Sequence, residues 1–294
     1  EPFDGVAYAV GSATITERRV SEPRATVICM HGYCENARYF TQAYADPGIQ
    51  LILVSSADYH TGLAGAESQQ AAWPHVPDAP AGSIEYDASV LNQALEHLPK
   101  TDHIRVHGHS RGGAVVLEAA DQRPDLFQGV EVILEAPVLP QASLPQPVST
   151  LFFWMFPLLV PFWRRMPISP WLIGRWGSLD DPRKRELIES LPFYAKQVTT
   201  LIVNLKSLVE WMRERKLELY RNLDSGMILI PEDDQVLDAD SMLCSANNAG
   251  SKLRIVQLSG VSHFILLDRP EVLPPLWPEP QNPGVLPSLA DREA

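Results

Sequence analysis

Asp102-His103-Ile104-Arg105-Val106-His107-Gly108-His109-Ser110-Arg111-Gly112-Gly113-Ala114-Val115-Val116-Leu117-Glu118-Ala119-Ala120 changes character at Ser110. Before it runs a short apolar stretch that predicts a buried strand; after it the spacing predicts a helix. A serine with glycines two residues away on each side, at a strand-to-helix switch, has the arrangement an exposed nucleophile requires. The turn is so tight that flanking side chains would clash, and the serine backbone is forced into a strained conformation with its hydroxyl pushed outward.

A serine hydroxyl is a poor nucleophile at neutral pH, so this reading demands a base, a residue to orient the base, and an oxyanion hole. Lys252-Leu253-Arg254-Ile255-Val256-Gln257-Leu258 reads as a late strand, followed by the small-residue loop Ser259-Gly260-Val261-Ser262 and then His263. Met227-Ile228-Leu229-Ile230 is a short buried strand running into Pro231-Glu232-Asp233-Asp234. Near the N-terminus, Ala25-Thr26-Val27-Ile28-Cys29-Met30 leads into His31-Gly32-Tyr33, a strand delivering backbone N–H groups to a loop. Asp233 and Asp234 precede His263 with room for one helix and one strand between.

In these motifs, taken in this order, residues 5 to 277 resemble the α/β-hydrolase superfamily. The resemblance implies an α/β fold: a mostly parallel central sheet with helices on both faces and a helical cap. It implies Ser110 as nucleophile, His263 as general base and Asp234 as its acid, because the acid of the superfamily stands three residues after the residue that closes the strand. That closing residue is Pro231 here rather than the usual glycine, which leaves Asp233 as an alternative. Glu135 is a third candidate, since some relatives carry the acid after the sixth strand. Backbone N–H groups of Tyr33 and Arg111 would form the oxyanion hole. The Arg111 side chain is read as a solvated residue at the helix N-terminus, with contact to an acidic substrate group as the alternative. His31, His107 and His109 lie on the strands or in the turn and are expected to shape the pocket. The motif Gly-His-Ser-Arg-Gly-Gly also occurs in plant chlorophyllases.

Strand-like and helical runs alternate, the pattern of a parallel sheet between helical layers. Strands are expected near 6–13, 25–31, 50–55, 102–109, 130–136, 225–231 and 252–258. Helices are expected near 36–45, 83–98, 111–122, 237–248 and 264–273. Ser83, ahead of Ile84-Glu85-Tyr86, supplies a start signal for the second of these. The loop from Asp58 to about Ser83, with Trp73 and His75, is expected to border the pocket.

The alternation breaks after Val138. Residues 1–138 and 223–277 therefore read as the core domain, 139–222 as a cap insertion, and 278–294, with Pro278, Pro280, Pro283 and Pro287, as an irregular tail. The insertion carries Leu151-Phe152-Phe153-Trp154-Met155-Phe156-Pro157-Leu158-Leu159-Val160-Pro161-Phe162-Trp163 and an amphipathic stretch from about Arg183 to Arg221. Pro157 and Pro161 interrupt the apolar run and make it too short to span a bilayer. The reading adopted is a cap element buried over Ser110, with Phe152, Trp154 and Phe156 lining an apolar substrate pocket. Contact with a membrane interface and plain packing are the competing readings.

With 45% hydrophobic and 20% charged residues the chain can build a sizeable core. Its formal net charge of −12 argues against nucleic acid or an anionic membrane as the principal partner. Cys29, Cys34 and Cys244 are odd in number and fit no metal spacing. No phosphate-cradling glycine loop follows a strand, so no cofactor and no metal are expected. The first residues show no basic region or long apolar run, and a cytoplasmic location is expected. The expected activity is hydrolysis of a carboxylic ester or thioester with an apolar part. A ligand-binding member with little turnover and an acyltransferase are the alternatives, and the oligomeric state stays open.

Overall fold

The computed structural model describes residues 2–59, 63–145, 182–189 and 197–276, together with Met155 and Leu158. Among these residues the strands β1 (Gly5–Val10), β2 (Ala13–Arg18), β3 (Ala25–Met30), β4 (Ile49–Ser55), β5 (Glu67–Ser68), β6 (Ile104–His109), β7 (Glu131–Glu135), β8 (Ser225–Pro231) and β9 (Leu253–Leu258) form one sheet. Their order is β5-β1-β2-β4-β3-β6-β7-β8-β9. From β4 across to β9 every pairing is parallel; β2 is antiparallel to both β1 and β4.

Central strands of such a sheet are covered on both faces, which is why β3 reads as an unbroken apolar run. Alternate side chains of β3 enter different cores. Ile28 and Met30 join Ile52, Val106, Leu91, Val115 and Trp211 on one face. Val27 and Cys29 join Leu51, Leu53, Tyr39, Phe40 and Phe264 on the other.

Helix α1 (Ile84–His97) starts where expected, and the Ser83 side chain accepts a hydrogen bond from the Tyr86 amide at 3.1 Å. Helix α2 (Arg111–Gln122) packs on α1 and on β6, with Ala114, Val115, Val116 and Leu117 completely buried. Further along are α3 (Pro182–Glu189), α4 (Val198–Glu214), α5 (Ala239–Ala246) and the short α6 (Ile265–Asp268).

Three expectations are corrected. The single strand expected over 6–13 is the first half of a hairpin, turned at Gly11 and Ser12 before β2; Gly11 takes φ +59°, which a glycine adopts without strain. The helix expected over 36–45 is a short 3-10 turn, Ala37–Thr41, started by the Asn36 side chain. The helix expected over 264–273 is α6 followed by the 3-10 turn Pro270–Val272, because Pro270 cannot donate the bond that would continue it. The amphipathic stretch from Arg183 to Arg221 contains α3 and α4 as separate pieces.

Helix α4 is bound tightly to the sheet-flanking helices. Trp211 Nε1 donates to Glu118 Oε2 at 2.9 Å, and Arg215 reaches Glu118 and Glu85 at 2.9 and 3.1 Å. Leu208, Trp211 and Met212 bury themselves in the same core as α1 and α2.

Candidate active site

Strand β3 is flanked by β4 on one side and β6 on the other, so the strand order reverses there. Crevices outside the carboxyl ends of the strands at such a point are where ligands bind in open α/β sheets. The loops after β3, β6, β7, β8 and β9 all leave that edge.

Ser110 closes β6 with φ 53° and ψ −119°, a conformation that costs energy for any residue with a side chain. Bonds from both flanks hold it. Its amide donates to the Glu135 carbonyl, and its own carbonyl accepts from the Gly113 and Val138 amides, each at 2.9 Å. The flanking glycines are sterically required. A Cβ at Gly108 would stand 2.5 Å from the Gly112 carbonyl oxygen, one at Gly113 2.5 Å from Pro137 Cβ, and one at Gly112 would collide with the Met30 carbonyl.

His263 follows β9 and is 3% exposed. Its Nδ1 lies 2.7 Å from Asp234 Oδ2. The other carboxylate oxygen of Asp234 accepts from the Val236 and Leu237 amides at 2.7 and 3.0 Å, so the acid is locked by its own loop. Burial works against ionising Asp234, but the His263 ring and these bonds hold it below the ordinary carboxylate range. A carboxylate only accepts, so His263 Nδ1 carries the proton, and in the neutral ring Nε2 holds the lone pair.

Asp233 is exposed and its side chain makes no bond to His263. Glu135 is fully buried and engaged elsewhere. It accepts from Tyr39 Oη at 2.5 Å, the Leu266 amide at 2.9 Å and His107 Nε2 at 3.1 Å. Burial opposes its ionisation too; the charge of His109 and the bonds from His107 and Tyr39 hold it below the ordinary range. Glu135 thus ties the 3-10 turn Ala37–Thr41 and α6 to the sheet behind the site.

The loop after β3 passes directly against Ser110: a Cβ on Gly32 would lie 2.9 Å from Ser110 Cβ. His31 shapes this loop. Its Nε2 accepts from the Ser56 amide at 3.0 Å, which fixes the tautomer, so Nδ1 donates to the Gly32 carbonyl at 2.7 Å. Cys34 then takes φ 54°, and its amide donates to Tyr59 Oη at 3.1 Å. Among the described residues, the Tyr33 and Arg111 amides have no protein acceptor.

The Arg111 side chain is neither solvated nor free for a substrate. It is 1% exposed, bonded to Asp87 Oδ2 at 2.6 Å and to the Gly82 carbonyl at 2.8 Å. Ser56 Oγ donates to the same Asp87 oxygen at 2.6 Å. Both expectations for this side chain are therefore corrected: a helix start facing the core puts its first side chain inside. Trp73 is engaged with α1 and β1, stacking on His97 at 5.2 Å and meeting Tyr8 at 5.3 Å.

Phe152, Trp154 and Phe156 lie outside the described residues. The two described members of that run, Met155 and Leu158, are 43% and 71% exposed, so the expected burial does not hold at those positions. Two described helices between Val138 and β8 do reach the site loops. Lys184 of α3, 2% exposed, pairs with Asp268 at 2.9 Å, and Asp268 accepts from the Ser262 amide at 2.7 Å beside His263. In α4, Asn204 accepts from Tyr59 Oη at 2.7 Å.

The sequence reading missed Glu35. Its carboxylate accepts from the Gly32 amide and meets His109 from the loop after β3. The available signal was an acid in an otherwise apolar loop, close behind the His-Gly pair.

No curated protein matches the chain by sequence. Several solved structures share its fold. An esterase from Exiguobacterium antarcticum superposes with a TM-score of 0.64 at 16% identity, covering 90% of this chain and 94% of that one. A thermophilic esterase from Thermogutta terrifontis gives a TM-score of 0.63 at 16% identity, covering 91% and 94%. A lipase-esterase related protein from Clostridium acetobutylicum gives 0.60 at 15% identity, covering 88% and 96%. Residues 21–270 match the model of the serine aminopeptidase S33 family, so the chain belongs to that family of α/β-hydrolases.

Proposed function

We propose that this hydrolase cleaves a carboxylic ester or thioester with an apolar part through an acyl-enzyme on Ser110. The observation that carries the reading is the His263–Asp234 bond of 2.7 Å, which leaves Nε2 as the one basic nitrogen of the ring. Ser110 Oγ attacks the carbonyl carbon while His263 Nε2 takes its proton. The resulting oxyanion is received by the Tyr33 and Arg111 amides, on the loop against Ser110 and at the first residue of α2. Collapse breaks the bond to the leaving group, which His263 protonates. Water then gives a proton to His263, attacks the acyl carbon and releases the acid, restoring Ser110. Asp234 holds the ring in the required tautomer and stabilises its charged form.

The test is labelling by a fluorophosphonate, followed by turnover of p-nitrophenyl esters of increasing chain length. Aminoacyl p-nitroanilides belong in the same panel, because the family is named for an aminopeptidase. Ser110→Ala should abolish labelling and most turnover. Labelling without turnover would favour a ligand-binding role, and preferential transfer of the acyl group to an added alcohol would favour an acyltransferase. If Phe152, Trp154 and Phe156 line the acyl pocket, kcat/KM rises by up to roughly fourfold per methylene from acetyl to medium chains, since each buried methylene contributes about 0.8 kcal/mol. A profile falling steadily from acetyl would remove them from the pocket.

A further inference from the structure

We propose that Glu35 and His109 are positioning residues: one buried ion pair holds the Gly32–Tyr33 loop and the His263 backbone in place on either side of Ser110. The inference rests on the reading of Ser110 as nucleophile and His263 as base. His109 is the last residue of β6, next to Ser110, and is 1% exposed. Its Nδ1 lies 2.7 and 2.9 Å from the two oxygens of Glu35, and its Nε2 lies 2.9 Å from the His263 carbonyl oxygen. An ionised Glu35 carboxylate and a backbone carbonyl are both pure acceptors. A neutral imidazole has one N–H, so only the imidazolium satisfies both contacts at once.

Glu35, 5% exposed, also accepts from the Gly32 amide, the donor just before Tyr33. A Cβ at Gly32 would fall 3.0 Å from Glu35 Oε2 and 3.4 Å from His109 Nδ1, so the loop is packed directly on the pair. One charged ring thus connects the loop proposed to receive the oxyanion with the residue proposed to move the proton.

The surroundings favour the charged form. Burial lowers the proton affinity of His109, but the charges of Glu35 and Glu135, the Glu35 bond and the His263 carbonyl together raise its pKa to about 9. The other groups facing it are Tyr39, with ring centres 4.7 Å apart, His263 at 4.9 Å and Phe264 at 5.5 Å; His107 precedes it on its own strand. Deprotonation would force a choice. Either the Glu35 carboxylate or the His263 carbonyl loses its donor, and the site loosens on one side of Ser110.

The experiment measures the rate of Ser110 phosphonylation and kcat/KM for p-nitrophenyl acetate from about pH 6 to about pH 10. Wild type should lose activity as pH rises through about 9. Glu35→Gln removes the charge that keeps the ring protonated. Its alkaline fall should move toward the ordinary imidazole range of about 6.5, with activity at pH 8 down roughly 10- to 100-fold, the scale of a small misplacement at a reacting centre. In His109→Gln the amide can still donate to the His263 carbonyl, so activity should be partly kept and the alkaline fall should vanish. An unmoved fall near pH 9 in Glu35→Gln, with activity within twofold of wild type, overturns the proposal. Absence of labelling in wild type would instead overturn the reading of Ser110. Wild-type NMR decides independently of variant folding: two ring N–H protons on His109 at about pH 8 are expected, and a neutral ring there refutes the ion pair.

Discussion

Replacing Asp234 by asparagine separates orientation from shape at this site. Asparagine is nearly isosteric and its side-chain oxygen can keep the bonds from the Val236 and Leu237 amides, at 2.7 and 3.0 Å, so the loop should hold. The group facing His263 Nδ1 then becomes an NH2 donor instead of an acceptor at 2.7 Å. The ring answers by moving its proton to Nε2, leaving that nitrogen unable to take the proton of Ser110. A wrong tautomer at such a site costs about 10⁴-fold in kcat, equivalent to about 5 kcal/mol of barrier. Steady-state turnover of p-nitrophenyl acetate measures the loss, and a thermal melt checks that the fold survives. Asp233→Asn is the matched control, since Asp233 is exposed and should change kcat by less than about twofold. Asp234→Asn retaining more than a tenth of wild-type kcat, or Asp233→Asn proving the more damaging, would refute the orienting role.

Gly112→Ala should lower stability by on the order of 3–5 kcal/mol in urea unfolding, because its Cβ would collide with the Met30 carbonyl of a central strand; Gly129→Ala has φ +73° but open space and should cost about 1 kcal/mol. Equal costs would mean that the β3–α2 approach relaxes easily. Lys184→Met should cost about 1–3 kcal/mol and lower kcat, since it strips Asp268 of the partner that steadies the Ser262–His263 loop; unchanged melting and kinetics would detach α3 from the site. Stability should fall at both pH extremes. Asp234 and Glu135 are held below the ordinary range, so their contribution is present above it and is lost as pH falls through their lowered values. His109 is raised to about 9, so its contribution is complete below the ordinary imidazole value of about 6.5 and is lost as pH rises through about 9. Melting temperature against pH should therefore decline over that alkaline window in wild type and stay flat there in His109→Gln.

The strand–turn–helix around Ser110 was legible from residues alone because its cause is local: chain sterics around glycines and a switch of apolar period from strand to helix. The alternation of strands and helices, the Ser83 cap and the order of the site residues are likewise written along the chain. Pairings between distant segments are not. Whether Asp234, Asp233 or Glu135 meets His263 depends on how the loop after β8 turns, and amides at Val236 and Leu237 decide it. The hairpin hidden in residues 5–18 needed the partner strand to show that the apolar run folds back. Arg111 read as a surface residue because a charged side chain usually is; Asp87, placed opposite it by α1, and the Gly82 carbonyl compensate its burial. Glu35 and His109 are 74 positions apart and become a pair only when β3 lies beside β6. Local sterics act within a few residues and leave a pattern in the sequence, whereas a buried charge is defined by what the fold packs against it.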